Sequence, residues 1–361
     1  MTLYSKERIS SADKISIKES FEERYKKLLG NKYDEFLKYS FTYLRKCIRV
    51  NTLKKPVDEV KQRLEDQGWV LEKVPWCDEG FFIQGHKTLH RFDIGNVIEH
   101  TLGYFYVQEA SSMIPPEALF FDLKNLDKNE MSKLKVLDLA AAPGSKTTQL
   151  AMYMKNEGLI IANDVDVGRL KPLSMNLQRM GVTNTLVTMN AFQMSKGSTK
   201  PRNPFFKRNK DGEFTLPNDE NGNSCGFDRI LLDAPCSGTG TIRKSFKAMS
   251  MYSYGLVRRL STLQKTLISH SFSMLKPGGV MVYSTCTQEP LENEVVVSYL
   301  LDKFPDAVIE KIPFNGVKSE PVLEFEDLKI RPELKDAIRI YPQDNDSEGF
   351  FICRIRKKDV V

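Results

Sequence analysis

The sequence predicts an α/β fold. A Rossmann-like domain with a mostly parallel sheet and an antiparallel edge strand follows a small N-terminal α+β region. Three observations predict it. From Leu134 onward, apolar strand-like runs alternate with amphipathic helical runs, the pattern of a parallel sheet covered on both faces. The last two strand candidates, 337–341 and 349–356, have no helix between them, so they should form an antiparallel pair at one edge. Ahead of Leu134, residues 47–83 read β-α-β-β, too short a run to belong to a large parallel sheet.

The elements follow in order. Residues 1–46 carry Phe21, Tyr25, Leu28, Leu29, Phe36, Leu37, Tyr39 and Tyr43 at helical spacing among charged residues, which predicts amphipathic helices. A strand is expected at 47–51 and a helix at 58–67, closed by Gly68. Strands then follow at 69–74 and 80–83. This small module is assigned to 47–121, with a polar boundary at 122–133 and the large domain at 134–361. In that domain, strands are expected at 136–140, 159–163, 185–189, 227–232 and 279–284. Helices are expected at 147–155, 168–180, 262–275 and 291–303. Residues 195–226 interrupt the alternation with a polar, Gly- and Pro-rich stretch, basic in its first half and acidic in its second. It reads as a solvated excursion or as a nucleic-acid contact through Phe205, Phe206, Lys207 and Arg208.

Composition narrows the class. With 361 residues, 41% hydrophobic and 28% charged, the chain is ordinary globular protein of about two domains. It has no apolar run near the ~20 residues of a membrane span and no secretory leader pattern. The six cysteines, at 47, 77, 225, 236, 286 and 353, are too sparse for a disulfide scaffold and lack zinc-ribbon spacing. A reducing, cytoplasmic compartment and no metal are expected. The formal charge of +6 permits a nucleic-acid partner without demanding one.

Two constellations carry chemistry. Ala140-Ala141-Ala142-Pro143-Gly144-Ser145-Lys146 makes a small-residue turn after a strand and before a helix, where α/β sheets bind ligands. It matches neither dinucleotide nor triphosphate loops. Asp164 ends the next strand, where an acid accepts ribose hydroxyls, and Asn190 ends the third, where an adenine edge is read. Arg169 and Asp233 are placed with them. A ribose and adenine site without a phosphate loop points to S-adenosylmethionine. The second constellation is Asp233-Ala234-Pro235-Cys236 and Ser284-Thr285-Cys286-Thr287, past the ends of neighbouring strands. Most cysteines are inert small hydrophobes, which suits Cys47, Cys77, Cys225 and Cys353. Cys236 and Cys286 instead should face one crevice with Asp233.

These motifs identify a resemblance to the RNA cytosine-5 methyltransferases of the Nol/Nop/Sun family. Asp-Leu-Ala-Ala-Ala-Pro-Gly-Ser-Lys at 138–146, Asp-Ala-Pro-Cys-Ser-Gly-Thr-Gly at 233–240 and Ser-Thr-Cys-Thr at 284–287 carry it. Arg49 to Lys54, Gln108 to Ser112 and Glu348 to Phe351 extend it. Ser145 replaces a usual Gly, Asn190 a common Asp, and Gln343 a frequent His. The resemblance implies a Rossmann-like methyltransferase domain with an RNA-recognition-like module before it. It also implies Cys286 as nucleophile and Cys236 as the group that helps release the product. A thiolate adding to carbon 6 of cytosine activates carbon 5, and Asp233 at the N3/N4 edge would stabilise the charge formed there. Lys146 would hold the Cys286 thiolate or contact the base, or is simply a lysine at a helix N-terminus. RNA contacts are expected from Arg243, Lys244, Lys247, Arg258 and Arg259, with Tyr252 and Tyr254 interleaved, and from Arg45, Lys46, Arg49, Lys54 and Lys55. The substrate is expected to be transfer RNA ahead of ribosomal RNA, acted on by a monomer. The rival readings are a DNA cytosine-5 methyltransferase, which the second cysteine opposes, and a non-catalytic RNA-binding assembly factor.

Overall fold

The computed structural model describes residues 2–4, 7–10, 12–89, 93–189, 207–208, 214–215 and 226–359. Asn190, Phe205, Phe206 and Cys225 lie outside them, as do the side chains of Lys207 and Arg208. The large sheet is built from β6 (Lys135–Asp138), β7 (Leu159–Asp164), β8 (Thr185–Met189), β11 (Phe227–Asp233), β12 (Leu275–Thr285), β13 (Ala307–Glu310), β14 (Ile338–Ile340) and β15 (Phe350–Lys357). A two-stranded pair, β9 (Lys207–Arg208) and β10 (Phe214–Thr215), stands apart from it. The strand order is β13-β15-β12-β11-β6-β7-β8, with β14 also on β15. The five strands from β12 to β8 are parallel, whereas β15 and β13 run antiparallel. The expected antiparallel pairing of the last two strands is present, Ile338 opposite Ile352. The edge strand β13 was not anticipated. Its four residues, Ala-Val-Ile-Glu, are too few to show an alternation.

Both faces of this sheet are covered, because successive side chains of a strand point to opposite sides. Val136, Leu231, Val280 and Val282 pack on one face against α4 (Ile114–Phe120) and α5 (Ser145–Tyr153). Leu137, Ile230, Leu232 and Met281 pack on the other face against α7 (Tyr254–Ser273) and α8 (Glu294–Lys303). A further helix, α6 (Val167–Met180), covers β7 through Leu173 and Leu177. Helix α4 escaped the sequence reading because Pro115 and Pro116 look like breakers. They stand in its first turn, where the missing N–H groups have no intrahelical partner anyway.

The small sheet contains β1 (Thr2–Leu3), β2 (Cys47–Val50), β3 (Trp69–Lys73), β4 (Gly80–His86) and β5 (Phe105–Val107), all antiparallel. Ile48, Val50, Phe81 and Ile83 form its own core with Val60 and Leu64 of α3 (Val57–Asp66). Cys47 and Phe82, facing the other way, merge with the core of the large sheet around α4. The first 46 residues are not only helical, because Thr2 pairs with His86 of β4. Helices α1 (Glu19–Leu29) and α2 (Tyr33–Ser40) pack against Ile242, Met249, Tyr252, Val257 and Tyr341 of the large domain. One core therefore runs through both halves of the molecule.

At the antiparallel edge, the fully buried Arg339 of β14 pairs with Glu294 of α8 at 2.6 Å. Its guanidinium also donates to the Gln288 carbonyl at 2.9 Å, just past Cys286. Breaking such a pair leaves an uncompensated buried charge. Arg339→Met should therefore lose about 3–5 kcal/mol of stability in urea unfolding. The double substitution with Glu294→Leu should recover most of that loss. An unchanged midpoint in the single variant would show that the pair does not support this edge.

Candidate functional site

The site sits at the carboxyl ends of β6, β7, β11 and β12, and the register explains why. Asp233 ends β11 directly beside Ser284 of β12, so the loops that follow start side by side. Their stitching is dense. The Gly240 N–H donates to the Cys286 carbonyl at 2.9 Å, and the Gly349 N–H donates to the Gly240 carbonyl at 2.9 Å. A Cβ on Gly240 would stand 2.3 Å from the Gly349 oxygen and 2.8 Å from that of Cys286, so only glycine fits. Hydroxyls complete the seam: Thr287 Oγ1 lies 2.8 Å from both Ser237 Oγ and Thr239 Oγ1.

Glu292, fully buried, anchors the first loop. It accepts from the Ser237 N–H at 3.0 Å, from Gln264 Nε2 at 2.8 Å and from the Ser237 hydroxyl. Burial pushes its carboxyl up to about 7, although the Ser237 and Gln264 donors favour the charged form. Across this seam, Cys236 Sγ and Cys286 Sγ stand 3.4 Å apart, both half-buried. The contact with Cys286, together with burial, pushes the Cys236 thiol well above its ordinary value. Cys236 is therefore held as a protonated thiol.

Lys146, in the first turn of α5, donates to Asp233 Oδ2 at 2.6 Å, and Ser284 Oγ donates to Asp233 Oδ1 at 2.8 Å. Burial works against the Lys146 charge. Asp233 more than offsets it, with smaller help from Cys286 and Asp138, so the ammonium titrates above its usual value. The Lys146–Asp233 pair joins the small-residue turn to the cysteine loops. Lys146 is thus no solvated lysine. Asp138, buried beneath the turn, accepts from Thr147 Oγ1 at 2.7 Å, and burial pushes it up to about 7.

The turn from Ala140 to Gly144 carries no side chain larger than a proline ring. Gly144 has φ +103°, and a Cβ there would come within 2.9 Å of Leu173. Asp164, buried at the end of β7, accepts from the Ala142 N–H and from the Asp166 N–H, each at 3.1 Å. Arg169 stands 3.7 Å from Asp164 and donates to the Ala142 carbonyl. The predicted turn residues, Asp164, Arg169, Lys146, Asp233 and both cysteines thus line one continuous edge of the sheet.

Three predicted RNA contacts, Arg49, Arg243 and Tyr252, are corrected because they are buried. Arg49 is fully buried and donates to Thr148 Oγ1 at 2.8 Å, fastening β2 to α5. Lys54 donates to the Leu102 and Arg179 carbonyls, each at 2.7 Å, and so fastens the small sheet to α6. The buried Arg243 pairs with Asp346 at 2.7 Å and donates to the carbonyls of Thr42 and Ser347. Tyr252 is buried against Phe21 and Tyr25, its hydroxyl on Glu289, and offers no stacking face. Lys244 stays at the surface, paired with the buried Glu348 at 3.0 Å. Lys247, Arg258 and Arg259 are exposed, with no ion pair among the described residues.

Glu292, Thr239, Thr287 and the Glu109–Glu348 contact were missed as site residues. Glu109 Oε1 accepts from the Glu348 N–H at 3.1 Å, joining two motifs that are far apart in the sequence. Burial, with Glu109 nearby, pushes the Glu348 carboxyl up to about 7. A carboxyl in a helical run reads as a solvated face unless its buried donors are known. Glu292 therefore gave no sequence signal.

The chain is similar to known proteins along most of its length. Residues 124–356 match the family model described as 16S rRNA methyltransferase RsmB/F. Residues 17–110 match that of the N-terminal domain of 16S rRNA methyltransferase RsmF. A tRNA (cytosine(49)-C(5))-methyltransferase of Pyrococcus abyssi is 46% identical, over 93% of this chain and 94% of that protein. The ribosomal RNA small subunit methyltransferase F of Vibrio parahaemolyticus is 41% identical over 91% of this chain, which spans only 60% of that protein. Among solved structures, a methyltransferase homolog protein from Pyrococcus horikoshii superposes with TM-score 0.73 at 34% identity, covering 97% of this chain and 98% of that one.

The buried carboxyls also set a pH dependence. Glu292 titrates at about 7 when folded against 4.5 ordinarily, so the folded protein binds the extra proton between those values. Its contribution to stability is full below 4.5 and is lost as pH rises towards 7. Glu292→Gln should make the fall in urea midpoint across that window shallower. An identical fall in the variant would show that Glu292 is not buried as described.

Proposed function

The chain belongs to the 16S rRNA methyltransferase RsmB/F family, whose members use S-adenosylmethionine, and from that premise we propose its reaction and its nucleophile. The reaction is methylation of carbon 5 of cytosine in RNA through a covalent bond from Cys286 to carbon 6. The observation that carries this reading is the pair of thiols at 3.4 Å, one held protonated, beside the Lys146–Asp233 pair.

The cofactor fits the edge formed by β6 and β7. The small-residue turn leaves room for it, Asp164 offers a buried carboxylate for ribose hydroxyls, and the exposed Val165 and Val167 beside it suit a purine face. When bound, S-adenosylmethionine supplies an electrophilic methyl group. The protein does the rest. As thiolate, Cys286 forms a bond to carbon 6 and drives the ring electrons towards carbon 5 and N3. Asp233, fixed by Lys146 and Ser284, accepts from the N4 amine of the base, and the Lys146 cation beside it offsets the charge that develops on the ring. Once carbon 5 carries the methyl group, elimination needs a proton for the departing Cys286 sulfur. The Cys236 thiol gives it, and the carbon 5 proton then returns to Cys236. Two thiols are left, and Cys286 releases one proton to solvent to begin again. A paired target would have to leave its stack to reach the cleft.

Transfer RNA is the proposed substrate. Support comes from the Pyrococcus abyssi enzyme, which is matched along nearly its whole length, whereas the ribosomal enzyme is matched along 60%. Labelled methyl transfer to unmodified transfer RNA, with none to 16S ribosomal RNA, is the expected outcome, and the reverse result would reassign the substrate. The free cations Arg258 and Arg259 are proposed to contact phosphate. Neutralising both should make the log affinity–log salt slope shallower by about 1.4, at about 0.7 per contact. An unchanged slope would place the RNA elsewhere.

The cysteines separate by their variants. Cys286→Ala should form no methylcytosine while still binding cofactor. Cys236→Ala should accumulate a detergent-resistant protein–RNA adduct, and the double variant should lose it. An adduct in Cys286→Ala that depends on Cys236 would reverse the roles.

A further inference from the structure

Immediately beside the Pro-Cys loop lies a cavity of about 220 Å³ that the proposed chemistry does not use. It is lined by Ser237 and Gly238, the two residues after Cys236, and by Ser245, Lys247, Met251 and Leu256 among others. Two features set it apart from ordinary surface relief. Met251 is 69% exposed and Leu256 is 37% exposed, so two large apolar side chains flank a recess without covering it. The rim is positive: Lys247 lines the cavity, and Arg259 lies one helical turn beyond Leu256 on the same face of α7. Neither cation has an ion-pair partner among the described residues. Arg243 and Lys244 are by contrast committed to Asp346 and Glu348.

We propose that this cavity is a subsite for the RNA base next to the target cytosine, held between Met251 and Leu256 with its phosphate on Lys247 and Arg259. The proposal rests on the RNA-methylating reading above. The size fits one ring system, since the cavity falls below the roughly 300–1,000 Å³ of a site for a whole small molecule. The chemistry fits as well. A base presents apolar faces to a thioether and an isobutyl group, and a hydrogen-bonding edge to the hydroxyl of Ser245. Position supplies the reason such a site is needed. A cytosine drawn out of its strand pulls on its neighbour. A neighbour seated one residue from Cys236 would keep the strand from sliding while the covalent bond forms.

Methionine oxidation footprinting tests this directly. The purified protein is treated briefly with hydrogen peroxide, with and without a pool of unmodified transfer RNA and 16S ribosomal RNA transcripts. RNA binding is checked by gel shift, and oxidation is read by mass spectrometry. Met251 should be protected several-fold by RNA, while Met175, 59% exposed on α6, should stay unprotected. The Met251→Ala/Leu256→Ala variant should fold normally, because both side chains are exposed. It should raise KM for RNA roughly tenfold, with cofactor affinity unchanged. Bound RNA that leaves Met251 as reactive as before, or a variant with unaltered KM, would overturn the subsite alone. Failure of any RNA to bind would remove the methylation reading and the subsite with it.

Discussion

Two parallel strands that end level with one another set everything else in this site. Because Asp233 of β11 faces Ser284 of β12, the loops beyond them begin at the same height. The backbone bond from Gly240 to Cys286 then allows no room for a side chain. The Gly in the Pro-Cys motif and the Gly of the C-terminal Glu-Gly-Phe-Phe run are two sides of one contact. Glu292, Thr287, Thr239 and Ser237 hold that contact from beneath, and the two sulfurs meet above it. The contact between the sulfurs, together with burial, pushes the Cys236 thiol well above its ordinary value.

Charge placement follows the same economy of position. The small N-terminal sheet does not extend a free basic arm. Arg49 and Lys54 are its fastenings, to Thr148 and to two backbone carbonyls, and its apolar far face continues the core of the large domain. Cations available to a polyanion are those the fold does not consume, and Lys247, Arg258 and Arg259 are among them. Lys247 begins a short helix, Lys247–Ser250, after the Pro-Cys loop, and the two arginines lie on α7.

The legible part of the protein was the part with a period or a positional rule. Alternation of apolar strands and helices gave the parallel sheet. Small residues after the first strand and cysteines after later strands marked the cleft, because ligands gather at carboxyl ends of parallel strands. The illegible part depended on partners distant in sequence. Nothing local distinguishes Arg243, buried on Asp346, from Arg258, exposed on a helix; both read as basic residues near a motif. Glu292 reads as a helix-start acid until Ser237 and Gln264 are brought to it. Residues 19–40 were readable as helices, but not as helices that pack on the large domain.

The central claim is that Cys286, and not its neighbour, bonds to the base. RNA transcribed with 5-fluorocytosine tests it most directly, since fluorine at carbon 5 blocks the final elimination and leaves the bond intact. After incubation with S-adenosylmethionine, digestion and mass spectrometry should find the methylated nucleotide attached to the peptide containing Cys286. A nucleotide on Cys236 would contradict the assignment, and a catalytically active protein with no attached nucleotide would contradict the covalent route.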